Sequence, residues 1–242
     1  MPSSHSTLRR AVTTIRDTMY PERCAGCGRF GAALCRACKS GLDAAILTAN
    51  GRCPNCAAAW TDSGFCTRCQ SWGMTLDRCL AAFEMEGTPR RLIHRLKYDH
   101  HRDIAPVMSH YLAHLAQSGF DAAVAVPLHP RRERGRGFNQ AALILEPLRW
   151  PQLPGRLERV RNTNHQVGRN EQERWRGMAN AFRYTGPELT GMQIAIIDDV
   201  VTTGATVVEC ARALKSHGAR SVTAIAFART SYVLPSVAVI ED

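Results

Sequence analysis

Eight cysteines set as four C-x2-C pairs dictate how the first third of this chain folds: Cys24 with Cys27, Cys35 with Cys38, Cys53 with Cys56, and Cys66 with Cys69. Two thiolates two residues apart can bite one ion from a tight turn, and two such pairs complete the tetrahedral four-thiolate shell that structural zinc prefers. Eight ligands call for two Zn2+ ions. Sequential pairing, with Cys24, Cys27, Cys35 and Cys38 in one site and Cys53, Cys56, Cys66 and Cys69 in the other, needs only short loops. An interleaved cross-brace satisfies the same chemistry, and a disulfide framework or an iron–sulfur cluster are the competing uses of the thiols. The segment is too short for an apolar core of its own, so metal binding, worth about 10–16 kcal/mol per structural site, supplies its order. A closed four-thiolate shell leaves no open position for catalysis. Leu42 to Leu47 reads as a short helix or linker.

Nine of the ten cysteines precede Leu80, so the rest of the 242 residues has a different construction. This divides the chain into an N-terminal extension over residues 1–20, helical or disordered, a double ribbon over 21–78, and a larger domain over 79–242. Cys79 and Cys210 have no neighbouring partner and read as small core residues. Lysines and arginines number 31 against 21 acids, a net charge of +10. That excess points to an anionic partner without choosing among phosphorylated metabolites, nucleic acid and acidic proteins. Met1 to Tyr20 lacks the apolar segment of a secretory leader, and nowhere is there a run long enough to span a bilayer. A cytoplasmic location with no membrane insertion follows as an expectation, and a reducing compartment favours metal over disulfides.

In the larger domain, Ile194-Ala195-Ile196-Ile197 is a β-branched run suited to a strand buried on both faces. It is expected to end at Asp198 and Asp199, whose carboxylates would point into the crevice where open α/β sheets bind ligands. Thr202, Thr203, Gly204 and Thr206 then offer hydroxyls and backbone N–H groups at the start of a helix over Val207 to Leu214, an arrangement that favours phosphate. The plainer alternative is a buried strand and a capped helix, with the acids merely complementing the helix dipole.

Further strands are expected over Cys79 to Glu86, Ala122 to Val126, Leu157 to Val160 and Ser221 to Ala226. Helices are expected from Thr88 to Tyr98, Ile104 to Ala116 and Phe138 to Leu148. Arg131, Arg132, Arg134 and Arg136 with two glycines read as a mobile cationic loop able to approach a diphosphate, or simply as a solvated turn. Arg161 to Met178 is polar and without apolar period, as in a functional lid or a disordered segment. His129 and His165 lack metal spacing and suit capping or packing. Phe227 and Tyr232, placed after the last strand, stack on a ligand ring or pack.

The stretch from Ile194 to Thr206 resembles the 5-phosphoribosyl-1-diphosphate (PRPP) signature of type I phosphoribosyltransferases. Leu92 to Tyr98, Val126 to Pro130, Arg136 to Gln140 and Asn162 to Gln166, together with the cysteine pairs, are similar in order to the competence-associated ComF/ComFC family. The resemblance runs from about Cys24 to Arg229. It implies an α/β fold: a Rossmann-like parallel sheet with helices on both faces, behind a zinc ribbon. It implies that Asp198 and Asp199 bind the ribose hydroxyls and serve catalysis. Val200, Thr202, Thr203, Gly204, Ala205 and Thr206 would complete the PRPP site around the 5′-phosphate. Pro127, Leu128 and His129 would stand at the diphosphate loop, with Arg131, Arg134 and Arg136 as cationic candidates, and Mg2+ would accompany PRPP. The implied activity is transfer of phosphoribose to an unidentified nitrogenous acceptor, linked to DNA uptake in natural transformation. The alternatives are a non-catalytic sensor of PRPP or a nucleotide, and a protein that handles single-stranded DNA beside DNA-uptake partners. A homo-oligomer is compatible with all three.

Overall fold

The computed structural model describes residues 23–48, 50–60, 64–72, 75–99, 101–116, 119–161 and 171–230. The expectations for residues 1–20, for Asn162 to Gln166 and for Tyr232 lie outside them. Four segments rich in Ala, Ile and Val form strands: β1 (Arg78–Glu84), β2 (Ala122–Ala125), β5 (Gln193–Val201) and β6 (Ser221–Arg229). They pair in parallel in the order β1–β6–β5–β2. A separate antiparallel pair joins β3 (Arg156–Arg159) to β4 (Phe182–Thr185). Parallel strands need crossovers, and these put helices on both faces of the sheet, which is why β5 and β6 carry almost no polar residue before their carboxyl ends.

Two apolar cores sandwich the sheet. On one face Ala195, Ile197, Ile225 and Phe227 meet α3 (Gly87–Tyr98), α4 (Ala105–Leu115) and α6 (Gln140–Leu145) through Leu92, Leu96, Met108, Leu112 and Ile144. On the other face Ile194, Ile196, Val222 and Ala224 meet Val207, Cys210 and Leu214 of α8 (Ala205–Lys215), with Leu157, Phe182 and Tyr184 of the β3–β4 pair. Cys79 and Cys210 are core residues, as expected.

The cysteine segment wraps the exposed edge of the sheet. The Leu47 N–H donates to the Ala82 carbonyl at 2.9 Å and the Cys79 N–H to the Asn55 carbonyl at 2.6 Å, so the ribbons occupy backbone groups that edge strand β1 would otherwise present to another chain. Ala25, with Leu42 of α1 (Arg36–Ala44), joins one core, while Trp72 of α2 (Thr67–Trp72) joins the other. At the opposite edge, Pro151 and Leu153 exchange hydrogen bonds with Ala123 of β2.

Several expectations change. Pro130–Arg136 is a helix, α5, and not a mobile loop: the His129 side chain accepts from the Arg131 N–H, Pro130 opens it, Glu133 lies in its first turn, and Gly137 at φ 80° closes it. β5 continues through the two acids to Val201 instead of ending at them. Glu171–Met178 forms helix α7 instead of an irregular stretch, and α1 begins at Arg36, within the second cysteine pair. Phe227 lies inside β6, fully buried, with its ring 4.9 Å from that of Phe83. It is therefore core and not a stacking platform. Replacing it, Phe227→Ala, should cost about 3–5 kcal/mol in urea unfolding of the zinc-loaded protein; a cost below about 1 kcal/mol would contradict its place in the core.

Candidate functional site

Successive side chains of a strand leave on opposite faces, so Asp198 and Asp199 diverge although they are adjacent. Asp199, 2% exposed, turns toward the helices of the first core. There the Lys97 ammonium, on the last turn of α3, forms a short ion pair with Asp199 Oδ2, and Gln140 Nε2 donates to Oδ1 at 3.1 Å. Arg136 Nη1 donates in turn to Gln140 Oε1 at 2.5 Å, which extends the network to α5. Asp198 turns the other way, toward Arg159 of β3 and Cys210 of α8, both of which feel its charge. Its Oδ1 accepts the Asp199 N–H at 2.8 Å. Burial first, and then the charge of Asp199, push the Asp198 carboxyl well above the usual carboxylate range, with Lys97 pulling the other way.

The two acids meet again at one cavity of about 810 Å3 at the carboxyl end of the sheet. Lys97, Tyr98, Leu128, Arg132, Arg136, Arg159, Val200, Thr202 and Thr206 line it with them, and Thr230 closes one side. Four cations against two acids make a positive hollow. Burial, and then Arg136, lower the pKa of Arg132; burial, and then Arg132, lower that of Arg159. Such crowding of like charge in a low-dielectric site is relieved by an anion.

Of the residues singled out from sequence, Asp198, Asp199, Val200, Thr202, Thr206, Leu128 and Arg136 line this cavity. Thr203, Gly204 and Ala205 are buried beneath it. Arg131 and Arg134 are exposed on α5 and do not line it, nor do Pro127 and His129. Arg132, from the arginine run read as a cationic loop, lines it as well, whereas Lys97, Gln140 and Arg159 were not among the candidate residues. Lys97 ends an amphipathic helix, so its signal was periodicity: it falls on the side of that helix that meets the sheet's carboxyl edge. Arg159 has no such signal, because a lone arginine in a four-residue strand looks solvent-facing.

Gly204 caps α8 at φ 85°, in the left-handed region that glycine tolerates. A Cβ there would lie 2.3 Å from Cζ2 of Trp72, so the turn is also roofed by the second ribbon.

The cysteines gather sequentially. The sulfurs of Cys24, Cys27, Cys35 and Cys38 lie within 4.8 Å of one another, as do those of Cys53, Cys56, Cys66 and Cys69. Individual Sγ separations of 3.7 Å (Cys27 to Cys35), 3.7 Å (Cys53 to Cys69) and 3.5 Å (Cys56 to Cys66) approach the tetrahedral edge of about 3.8 Å that Zn–S bonds of about 2.3 Å require. A hydrogen bond from Cys69 and, against the opposing effect of burial, the Arg229 guanidinium hold the Cys56 thiol down at about 4, in the thiolate form that a metal ligand needs. The interleaved pairing is thus excluded by geometry.

Comparison with known proteins agrees with both halves of this description. Residues 15–70 match the double zinc ribbon domain family and residues 146–237 the phosphoribosyl transferase domain family. The DNA utilization protein YhgH of Escherichia coli (strain K12) is 36% identical over 191 residues, which cover 74% of this chain and 84% of that protein. Competence protein ComFC of Streptococcus pneumoniae is 28% identical over 73% of this chain and 80% of its own length. Competence protein F of Haemophilus influenzae is 34% identical over 115 residues, 45% of this chain and 50% of that protein. The parallel sheet is that of a phosphoribosyltransferase-like domain, and the two clusters are the ligand sets of a double zinc ribbon. Among the described residues no helix is long and apolar enough to cross a membrane.

The raised pKa of Asp198 makes a pH-dependent prediction for the ligand-free protein. The folded state keeps a proton that the unfolded chain loses above 3.8, so stability falls as pH rises from that value toward the folded pKa. Asp198→Asn removes this penalty. Urea unfolding should find the variant more stable than the parent at pH 7.5, with a smaller gain at pH 5.5. A variant destabilised at pH 7.5 would contradict the assignment.

Proposed function

This chain belongs to the family of the DNA utilization protein YhgH and the competence proteins F and ComFC, and from that premise we propose that its cavity binds PRPP with Mg2+ and transfers phosphoribose to a nitrogenous acceptor. The observation that carries the reading is the convergence of Lys97, Arg132, Arg136 and Arg159 on one hollow beside two carboxylates and the Thr202 and Thr206 hydroxyls. PRPP presents this pattern in complement: two clusters of phosphate charge flanking a ring with two free hydroxyls. The 5′-phosphate takes the turn at the N-terminus of α8, where hydroxyls and the positive helix end favour an anion. Asp198 and Asp199 accept from the ribose hydroxyls. The diphosphate faces the arginines of α5 and β3 and the lysine of α3.

The carboxyl oxygens of Asp198 and Asp199 are hard donors, which suits Mg2+. Bound together with the diphosphate, the ion supplies neutralisation of the negative charge that grows on the leaving group. In the reaction the bond from the anomeric carbon to diphosphate breaks, diphosphate departs with the electron pair, and a bond to the acceptor nitrogen forms as that nitrogen loses its proton to water. The chain's part is electrostatic. The Asp199 carboxylate beside the ring favours its cationic character, and fixed cations receive the departing charge without reorganisation. Lys97 is well placed to pass from Asp199 to diphosphate as the ligand enters, which frees the carboxylate for the ribose.

The division into a ribbon over 21–78 and a transferase domain over 79–242, a cytoplasmic location and a role in DNA uptake belong to the same proposal, the last supported by what the relatives are named for. Arg131 and Arg134, exposed on the outer side of α5, offer a cationic face to a nucleic acid backbone.

Calorimetric titration with PRPP and Mg2+, followed by diphosphate detection across a panel of nitrogenous acceptors, tests the reading. The parent protein should bind and release diphosphate with one class of acceptor. Asp198→Asn combined with Asp199→Asn should weaken binding at least about tenfold, as should Lys97→Ala with Arg136→Ala. Binding without diphosphate release from any acceptor would make the protein a sensor, and no binding at all would overturn the proposal.

A further inference from the structure

The second cysteine cluster is tied to the proposed phosphate turn on both of its sides. On one side Trp72, three residues after Cys69 and 3% exposed, packs directly against Gly204: a Cβ added there would stand 2.3 Å from Cζ2 and 2.6 Å from Cε2 of the indole. On the other side Arg229, 3% exposed at the end of β6, donates through Nη1 to the Cys56 carbonyl and lies 3.6 Å from Cys56 Sγ. The next residue, Thr230, lines the cavity, and its N–H donates at 3.0 Å to the carbonyl of Val201, immediately before Thr202. Among the described residues the first cluster makes no such contact with the turn. It is partly exposed at Cys27, and its contacts run to α3, where Arg91 donates to the Gly26 carbonyl and Arg95 stands beside Gly28.

We infer that the second zinc ribbon is part of the ligand site: with Cys53, Cys56, Cys66 and Cys69 closed on one ion, Trp72 and Arg229 hold the Thr202–Thr206 turn in the shape that grips a phosphorylated ligand. Trp72 is a positioning residue here, acting through Gly204 and not on the ligand. A left-handed glycine at the head of a helix is the softest point of the turn, since glycine has the most conformational freedom to lose. The indole removes that freedom by occupying the space into which the backbone would otherwise move. Zinc fixes the indole in turn, because α2 begins next to Cys66 and contains Cys69. Loss of this one ion therefore loosens the grip on phosphate while the sheet stays folded. The consequence for affinity rests on the PRPP reading, but the effect on the turn does not.

Hydrogen exchange over residues 200–206 of the full-length, zinc-loaded protein reads the turn directly, with zinc content and PRPP affinity measured alongside. Trp72→Ala should retain two zinc ions yet exchange at the turn at least about tenfold faster and bind PRPP about tenfold more weakly, whereas Trp72→Phe, which keeps a ring over Gly204, should recover most of both. Cys66→Ser should lose one ion and show the same loosening. Cys27→Ser should also lose one ion but leave exchange at the turn within about twofold of the parent. Should a cysteine variant fail to fold, stepwise removal of zinc from the parent by a chelator gives the same comparison: the exposed first ion leaves without effect on the turn, the second with it. Parental protection of residues 200–206 in Trp72→Ala overturns the inference. A turn loosened as expected in a protein that binds no PRPP leaves the inference standing and removes only the PRPP reading.

Discussion

Two carboxylates sit at the end of a strand that is covered on both faces, and the site depends on how their charge is met. A buried acid without a partner costs several kcal/mol, so each must find a cation or take up a proton. Because neighbours on a strand point to opposite faces, one partner set cannot serve both. Asp199 is met by Lys97 and Gln140 from the helices of one layer, while Asp198 faces Arg159 from the β3–β4 pair of the other. The cavity thus joins the two layers of the domain at the carboxyl edge of the sheet, the end where parallel α/β proteins bind ligands.

The ribbons belong to this architecture as much as to metal binding. By donating and accepting along β1 they cover an open strand edge, and by contributing to both cores they fix the sheet's position against the helices. A short segment with eight cysteines cannot order itself by apolar burial, but once metal closes its turns it becomes a rigid wall. One part of that wall, the indole of Trp72, rests on the turn that the phosphate reading requires. Residues of the cysteine segment and of the sheet share both cores, and it is through these packed side chains that the inferred coupling of metal occupancy to the turn would act.

Much of this was legible in the residues. The run from Ile194 to Ile197 gave away a doubly covered parallel strand, and the spacing of the cysteines gave two four-thiolate sites with a sequential arrangement among the options. Helix α5 was also legible: a capping histidine, a proline at the first position, an acid in the first turn, arginines in the last and a closing glycine are helix signals that outweigh the apparent looseness of an arginine-glycine run. The divergence of Asp198 and Asp199 follows from strand alternation once β5 is known to run to Val201. Other features had no local signal. Arg159 and Trp72 reach the site only because the chain returns from 40 and 127 residues before Asp199, through the β3–β4 pair and the second ribbon. Phe227 looked available for stacking because β6 was expected to stop at Ala226, and its burial is decided by Phe83 and Tyr111 from distant elements.

The central claim is that acids held from opposite layers, with the hydroxyl-lined turn beyond them, form one cavity for a phosphorylated pentose. A crystal structure of the full chain grown with saturating PRPP and Mg2+ tests it most directly. The claim predicts the 5′-phosphate at the Thr202–Thr206 turn, the ribose hydroxyls on Asp198 and Asp199, and the diphosphate among Lys97, Arg132, Arg136 and Arg159. Ligand density elsewhere on the protein, with the Lys97–Asp199 pair undisturbed and this cavity holding only solvent, would contradict it.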